Sequence, residues 1–196
     1  MVPEDRAPWP LAGTFEFAAV DAGWRDGLAD RFARDLERHV IEAWFQRSVD
    51  PDGGFRADFD RAWRPRGEGR RMLEFQARQT RTAARLGLAF PSQRKRWSEM
   101  ALHGLACLRE QMADALGGGW FWLVDRDGAP LHGSTKHAHG ISYVVGAGVE
   151  VHRLTGSAEA LALVRDAVEW LERVHHDDEN GGYHGWVTRD GRPILD

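Results

Sequence analysis

Two stretches of this chain set reactive side chains at helical spacing. In "GRRMLEFQARQTRTAARLG" (69–87), a rotation of about 100° per residue puts Arg71, Glu74, Arg78, Arg81 and Arg85 on one face. Met72, Leu73, Ala77, Ala83 and Ala84 turn away from it. Two readings fit such a stripe. It is a solvated charged face, or it is a basic wall on which guanidinium groups bind hydroxyls, carboxylates or a developing oxyanion. Further along, Thr135, Lys136, His139, Ser142, Tyr143 and Glu150 line up in the same manner. His139 reads as a pocket-lining group or as a satisfied core histidine.

Other reactive types are weaker leads. His132, His137 and His139 raise the question of a metal. Residues two apart on a helix face different ways, however, and no nearby carboxylate completes a ligand set. The expectation is therefore no metal and no cofactor. No nucleophile elbow, phosphate loop or dinucleotide fingerprint is present in the sequence. His103 and Cys107 share one face of a helix and read as packing residues. His175 and His176 are expected to meet the last carbonyls and the dipole of a helix end. Trp63, Trp120, Trp122 and Trp186 cluster near turn sequences; flat aromatic faces suit pyranose C–H faces but also build ordinary cores.

The elements that must position these residues are written in a repeat. A Gly-Gly-aromatic unit occurs at Gly53-Gly54-Phe55, Gly118-Gly119-Trp120 and Gly181-Gly182-Tyr183. A proline follows the second glycine by 11 positions each time, at Pro65, Pro130 and Pro193. Such units read as aromatic strands around a turn, with Asp-Gly turns in the later two, giving hairpins near 53–65, 118–130 and 181–193. Between them the period is helical, and helices are predicted near 23–47, 69–87, 93–116, 134–155 and 157–176. The first carries Trp24, Leu28, Phe32, Leu36, Val40 and Trp44 at steps of four. Gly156 closes the fourth helix and Ser157 opens the fifth. "HAHGISYVVGAGV" (137–149) has no charged residue and reads as an inner helix buried all round. "SAEALALVRDAVEWLERVHH" is amphipathic along Leu161, Val164, Val168, Leu171 and Val174 and reads as an outer one. A helix pair and a hairpin in alternation are the pattern of an all-α, α/α toroid. The whole of 1–196 is expected to be a single domain.

Bulk properties narrow the function classes. The chain is 42% hydrophobic and 29% charged, with a formal net charge of −4 and a pI near 6.1, which argues against nucleic acid as a partner. "MVPEDRAPWPLAG" lacks the apolar run of a signal peptide, and no segment is apolar enough for a membrane span. The single Cys107 excludes an intrachain disulfide and fits a reducing compartment, so a cytoplasmic location is expected.

Three segments together resemble the N-acylglucosamine 2-epimerase family, which includes mannose isomerases, cellobiose 2-epimerases and sulfoquinovose isomerases. They are "EFQARQTRTAARLG" (74–87), "GGGWFWLVDRDGAPLHGSTKHAHGISYVVGAGVEVHRLTG" (117–156) and "HHDDENGGYHGWVTRDGRPI" (175–194). The resemblance implies an (α/α)6 barrel, of which this chain covers the N-terminal half. It implies a central sugar pocket and cofactor-free proton transfer at C2 through an enediol. The arginine that polarises the sugar oxygen falls on Arg78. His139 stands where the family pattern has a tyrosine, Tyr143 follows one turn later, and both are implied substrate contacts. The family's proton-transferring histidines lie on inner helices after the third hairpin, so the chain alone is expected to be inactive. The expected ligand is a monosaccharide or short oligosaccharide, and an open half-ring is expected to dimerise or to bind a C-terminal half. Two other readings stand beside this one. One is a non-catalytic sugar-binding or assembly module. The other is half of an α/α-barrel glycoside hydrolase, for which Glu74 and Glu150 are the only carboxylates on the inner faces.

Overall fold

The computed structural model describes residues 22–195. The chain divides into two compact units, Met1–Trp44 and Phe45–Asp196. The first holds helix α1 (Ala22–Asp35) and a π-helical stretch, Leu36–Glu42; α2 is Ala43–Ser48. One helix was expected across 23–47, and a π segment interrupts it. Trp24, Phe32, Leu36 and Val40 of the expected apolar stripe are exposed, whereas Ile41 is buried.

In the second unit the chain runs β1 (Arg71–Met72), α3 (Leu73–Ala89), α4 (Arg94–Glu110), β2 (Leu123–Val124), β3 (Lys136–His137), α5 (Ala138–Thr155), α6 (Ala158–Trp170) and β4 (Trp186–Val187). Helix α3 packs on α4 and on α5, and α5 packs on α6. Thus α3 and α5 are neighbouring inner helices and α4 and α6 their outer partners, a segment of an α/α toroid. Small residues allow the close inner contacts. A Cβ at Gly148 would stand 2.6 Å from Val164 Cγ2 and 3.0 Å from the Ala160 carbonyl. The α5–α6 joint follows the expected caps: Gly156 is left-handed (φ 74°), and Ser157 Oγ accepts from Ala160 N at 3.2 Å. The buried side of α6 is Ala160, Leu163, Ala167 and Trp170, while Val168 on the expected stripe is exposed. Helix α5 is not buried all round: His139, Ser142 and Val149 are exposed, which leaves one face open.

The strands depart most from expectation. Each expected hairpin closes on itself, as when Leu131 N–H donates to the Leu123 carbonyl at 2.9 Å and Ile194 N–H to that of Trp186 at 2.9 Å, but in the later two the first arm also pairs outside the hairpin. There β1 pairs antiparallel with β2, and β3 with β4, so the entry of each inner helix is zipped to the following hairpin. Residues 71–72 and 136–137, which the helical period assigned to helices, are extended for this reason. Likewise α4 stops at Glu110, because the chain turns at Asp114 toward Trp120. The hairpins keep their repeat, with bridges Phe59–Pro65, Val124–Pro130 and Val187–Pro193.

Buried charge ties the repeats together. Arg71 is 1% exposed; its Nε donates to the Gly53 carbonyl at 2.9 Å and its Nη1 to that of Arg126 at 2.5 Å. Its Nη2 lies 3.7 Å from Asp50. One repeat later, Lys136 is fully buried; it donates to the Gly118 carbonyl, and to that of Arg189 at 3.1 Å. It lies 3.1 Å from Asp114, which also accepts two 2.8 Å bonds from Arg189. Burial alone would raise the Asp114 carboxyl, but Arg189, the Gly117 amide and Lys136 hold it well below the usual carboxylate range. Removing one partner of such a buried pair costs about 3–5 kcal/mol. The stripe reading thus needs correction at Arg71 and Lys136, whose charges serve this clasp and not an open face. His175 also differs from expectation: fully buried, it donates Nδ1–H to the His184 carbonyl at 2.8 Å, fastening the third hairpin.

Two outcomes follow for stability. Gly119 (φ +68°) has Trp170 Cε2 only 2.5 Å from where a Cβ would sit, whereas nothing lies within 4 Å at Gly182 (φ +82°). Gly182→Ala is expected to cost about 1–2 kcal/mol for backbone conformation alone, and Gly119→Ala about 2–5 kcal/mol, read from urea midpoints. Burial depresses the basicity of His175 below its ordinary 6.5, so the unfolded chain binds more protons. Stability should therefore be full above that value and decline as pH falls through it. A second decline is expected below about pH 4 as the Asp114 clasp protonates. Urea unfolding at pH 7.5, 5.5 and 3 reads both steps.

Candidate active site

Helix α3 buries Ala77 and Thr80 and thereby turns Arg78 outward, while α5 presents His139 and Tyr143 one turn apart on its open face. The structure brings the three together. The Arg78 guanidinium stands 5.2 Å from the Tyr143 ring centroid, and His139 meets the same ring edge-on at 4.9 Å. Arg78 and His139 are exposed and Tyr143 is half-buried, so all three can touch a ligand. Of the other stripe residues, Arg85 is exposed and Arg81 half-buried. Glu150 pairs with Arg153 at 3.0 Å, two turns beyond Tyr143.

A line of rings continues from this trio. His139 lies perpendicular to His137 at 5.6 Å, and His137 stacks flat on Trp186 at 4.0 Å and 10°. Trp186 meets Trp122 at 5.1 Å, and Trp122 meets His132 at 5.6 Å. The β3–β4 register sets the central contact, because His137 and Trp186 are directly cross-strand. His132 (φ 49°) and Ser134 (φ 63°) adopt left-handed backbone, which costs a non-glycine residue about 1–2 kcal/mol each. That strained turn delivers His132 to the end of the line. Trp120 is a core residue, donating Nε1–H to the Leu108 carbonyl at 2.9 Å, and Trp63 sits apart against Phe59 and Arg47. His103 and Cys107 behave as packing groups: His103 Nε2 bonds the Gly54 carbonyl at 2.9 Å, and burial pushes the Cys107 thiol up to about 12.

Sequence reasoning missed Glu74 as a partner of His137. His137 Nδ1–H donates to Glu74 Oε1 at 2.6 Å. The missing carboxylate comes from the neighbouring inner helix, 63 residues earlier in the chain. The argument that His137 and His139 diverge also fails, because His137 is not helical. At φ −123° and ψ 117° it is extended and caps α5, so the two imidazoles lie on the same side. Glu74, His137 and His139 each offer a ligand atom within 4.8 Å of the others, a set able to hold a metal ion. Gly140 keeps the space open: a Cβ there would lie 3.1 Å from Glu74 Oε1. Among the described residues, no helix is long and apolar enough to cross a membrane.

No family model matches the chain. It is 27% identical over 172 residues to a cellobiose 2-epimerase of Bacteroides fragilis, which covers 86% of this chain and 43% of that protein. The solved structure of cellobiose 2-epimerase from Spirochaeta thermophila superposes with a TM-score of 0.80 at 26% identity, covering 91% of this chain and 43% of the other. A D-mannose isomerase structure shares the fold, with a TM-score of 0.74 at 23% identity over 84% of this chain and 41% of its own. The chain therefore spans somewhat under half the length of the proteins it matches.

Proposed function

We propose that this chain, whose relatives lie in the N-acylglucosamine 2-epimerase family, carries the oxygen-polarising wall of a sugar 2-epimerase or aldose–ketose isomerase pocket. The observation that carries the reading is the convergence of Arg78, Tyr143 and His139 on one open face between α3 and α5. Abstraction of the proton at C2 builds negative charge on the adjacent sugar oxygen. A fixed guanidinium beside that oxygen lowers the barrier, because the charge meets a donor already in place. Tyr143 backs Arg78 and holds its direction, and the exposed edge of His139 offers a hydrogen bond to a neighbouring hydroxyl. The stacked rings of His137, Trp186 and Trp122 extend the same face and suit the C–H side of a pyranose. The ligand in this reading is a monosaccharide or the reducing-end unit of a short oligosaccharide, as the names of the relatives suggest.

Proton transfer itself falls, in this reading, to histidines on the inner helices that follow the third hairpin in the family. The hydrolase alternative finds less support. It needs two carboxylates facing one bond, but Glu74 is hydrogen-bonded to His137 and Glu150 is paired with Arg153.

Saturation-transfer NMR with cellobiose and mannose tests the assignment. The wild-type chain is expected to give signals concentrated on the reducing-end ring. Arg78→Ala, at an exposed position, should weaken them by about tenfold or more in affinity, since a charge-assisted hydrogen bond is worth about 1.5–3 kcal/mol. Undiminished binding by Arg78→Ala would refute the role of Arg78. In D₂O the 196-residue chain alone is expected to leave the C2 proton of mannose unexchanged, and deuterium at C2 would contradict the division of labour.

A further inference from the structure

Glu74 is an odd residue to find on the covered side of an inner helix. Its side chain is only 10% exposed. Oε1 has the Nδ1–H of His137, while Oε2 is buried with no hydrogen-bond partner among the described residues. A carboxylate withdrawn from water needs donors or a cation to offset the loss of hydration. Two imidazoles stand beside it, with one ligand atom from each of the three residues inside 4.8 Å. The donors are held in place from behind. His137 is stacked on Trp186, His139 is set edge-on against Tyr143, and both begin an inner helix that Gly140 allows to approach α3 closely.

Two imidazoles and one carboxylate, with a further position open to solvent, form the donor set of an open four-coordinate site. Imidazole nitrogens favour zinc and its neighbours over magnesium or calcium, which take oxygen ligands. We propose that Glu74, His137 and His139 bind a divalent transition-metal ion of the zinc class, bridging α3 and α5. Metal–ligand bonds of about 2.1 Å place tetrahedral ligand atoms about 3.4 Å apart. The ion therefore replaces the Glu74–His137 hydrogen bond, neutral His137 carries its one proton on Nε2 while Nδ1 turns its lone pair to the metal, and exposed His139 swings inward on the order of 1 Å. This site goes beyond the sugar chemistry and stands or falls without it, because its test contains no sugar.

The test is a titration of the 196-residue chain, freed of metal by a chelator, with Co²⁺ followed by visible absorption and with Zn²⁺ by calorimetry. One equivalent is expected for each ion, with a tetrahedral Co²⁺ spectrum. His139→Ala, an exposed change that preserves the helical circular dichroism, should weaken binding at least about tenfold, as should Glu74→Gln. His176→Ala, at the surface beside Asp178 and outside the donor set, should leave binding unchanged. Absence of one-equivalent binding overturns the proposal, as does equal binding by His139→Ala or a loss confined to His176→Ala.

Discussion

A cation buried beneath a hairpin turn is the contact on which the second unit depends. Arg71 and Lys136 occupy equivalent places, one residue into the strand that leads to an inner helix. Each gathers the carbonyl of a turn glycine, the aspartate of that same turn, and a carbonyl from the next hairpin. A guanidinium from the next hairpin closes the arrangement from outside, Arg126 on Asp52 and Arg189 on Asp114. Neither cation is tolerable without its partners, so turn, strand and following hairpin must form together. The contact ties each repeat to its successor, because losing any one partner leaves a buried charge uncompensated.

The clasp also aims the site. Side chains alternate along a strand, so pinning Lys136 under the turn sends His137 to the opposite side. There it meets Trp186 across the β3–β4 ladder and Glu74 on the neighbouring helix. The helix starts one residue later, and its open face begins at His139, with Tyr143 one turn on. Arg78 reaches the same face from α3 because the burial of Ala77 and Thr80 fixes that helix's rotation. The face proposed to bind sugar and the donor set proposed to bind metal thus share one junction between strand and helix.

Much of this was legible in the residues. The glycine–aromatic–proline spacing located the hairpins, the helical period located the helix pairs, and the trio Arg78, His139 and Tyr143 emerged from face analysis and family resemblance. What escaped was set by contacts between distant residues. Arg71 and Lys136 fit the helical period, and only their strand partners more than 50 residues away make them extended. Glu74 looked like one more charge on a stripe, since its partner His137 arrives by way of a different repeat. The buried stripe of α6 lies one position before the expected one, because Ala160 and Ala167, together with Leu163 and Trp170, take the covered side.

The most direct measurement of the central claim is the nitrogen-15 NMR signal of the Arg78 guanidinium, assigned through an Arg78→Lys variant, as mannose is added. If Arg78 holds the oxygen beside C2, its Nε–H resonance shifts with sugar concentration while those of the clasp guanidiniums, Arg71 and Arg189, stay fixed. A sugar that binds and moves other arginines, leaving the Arg78 signal unperturbed, would contradict the account.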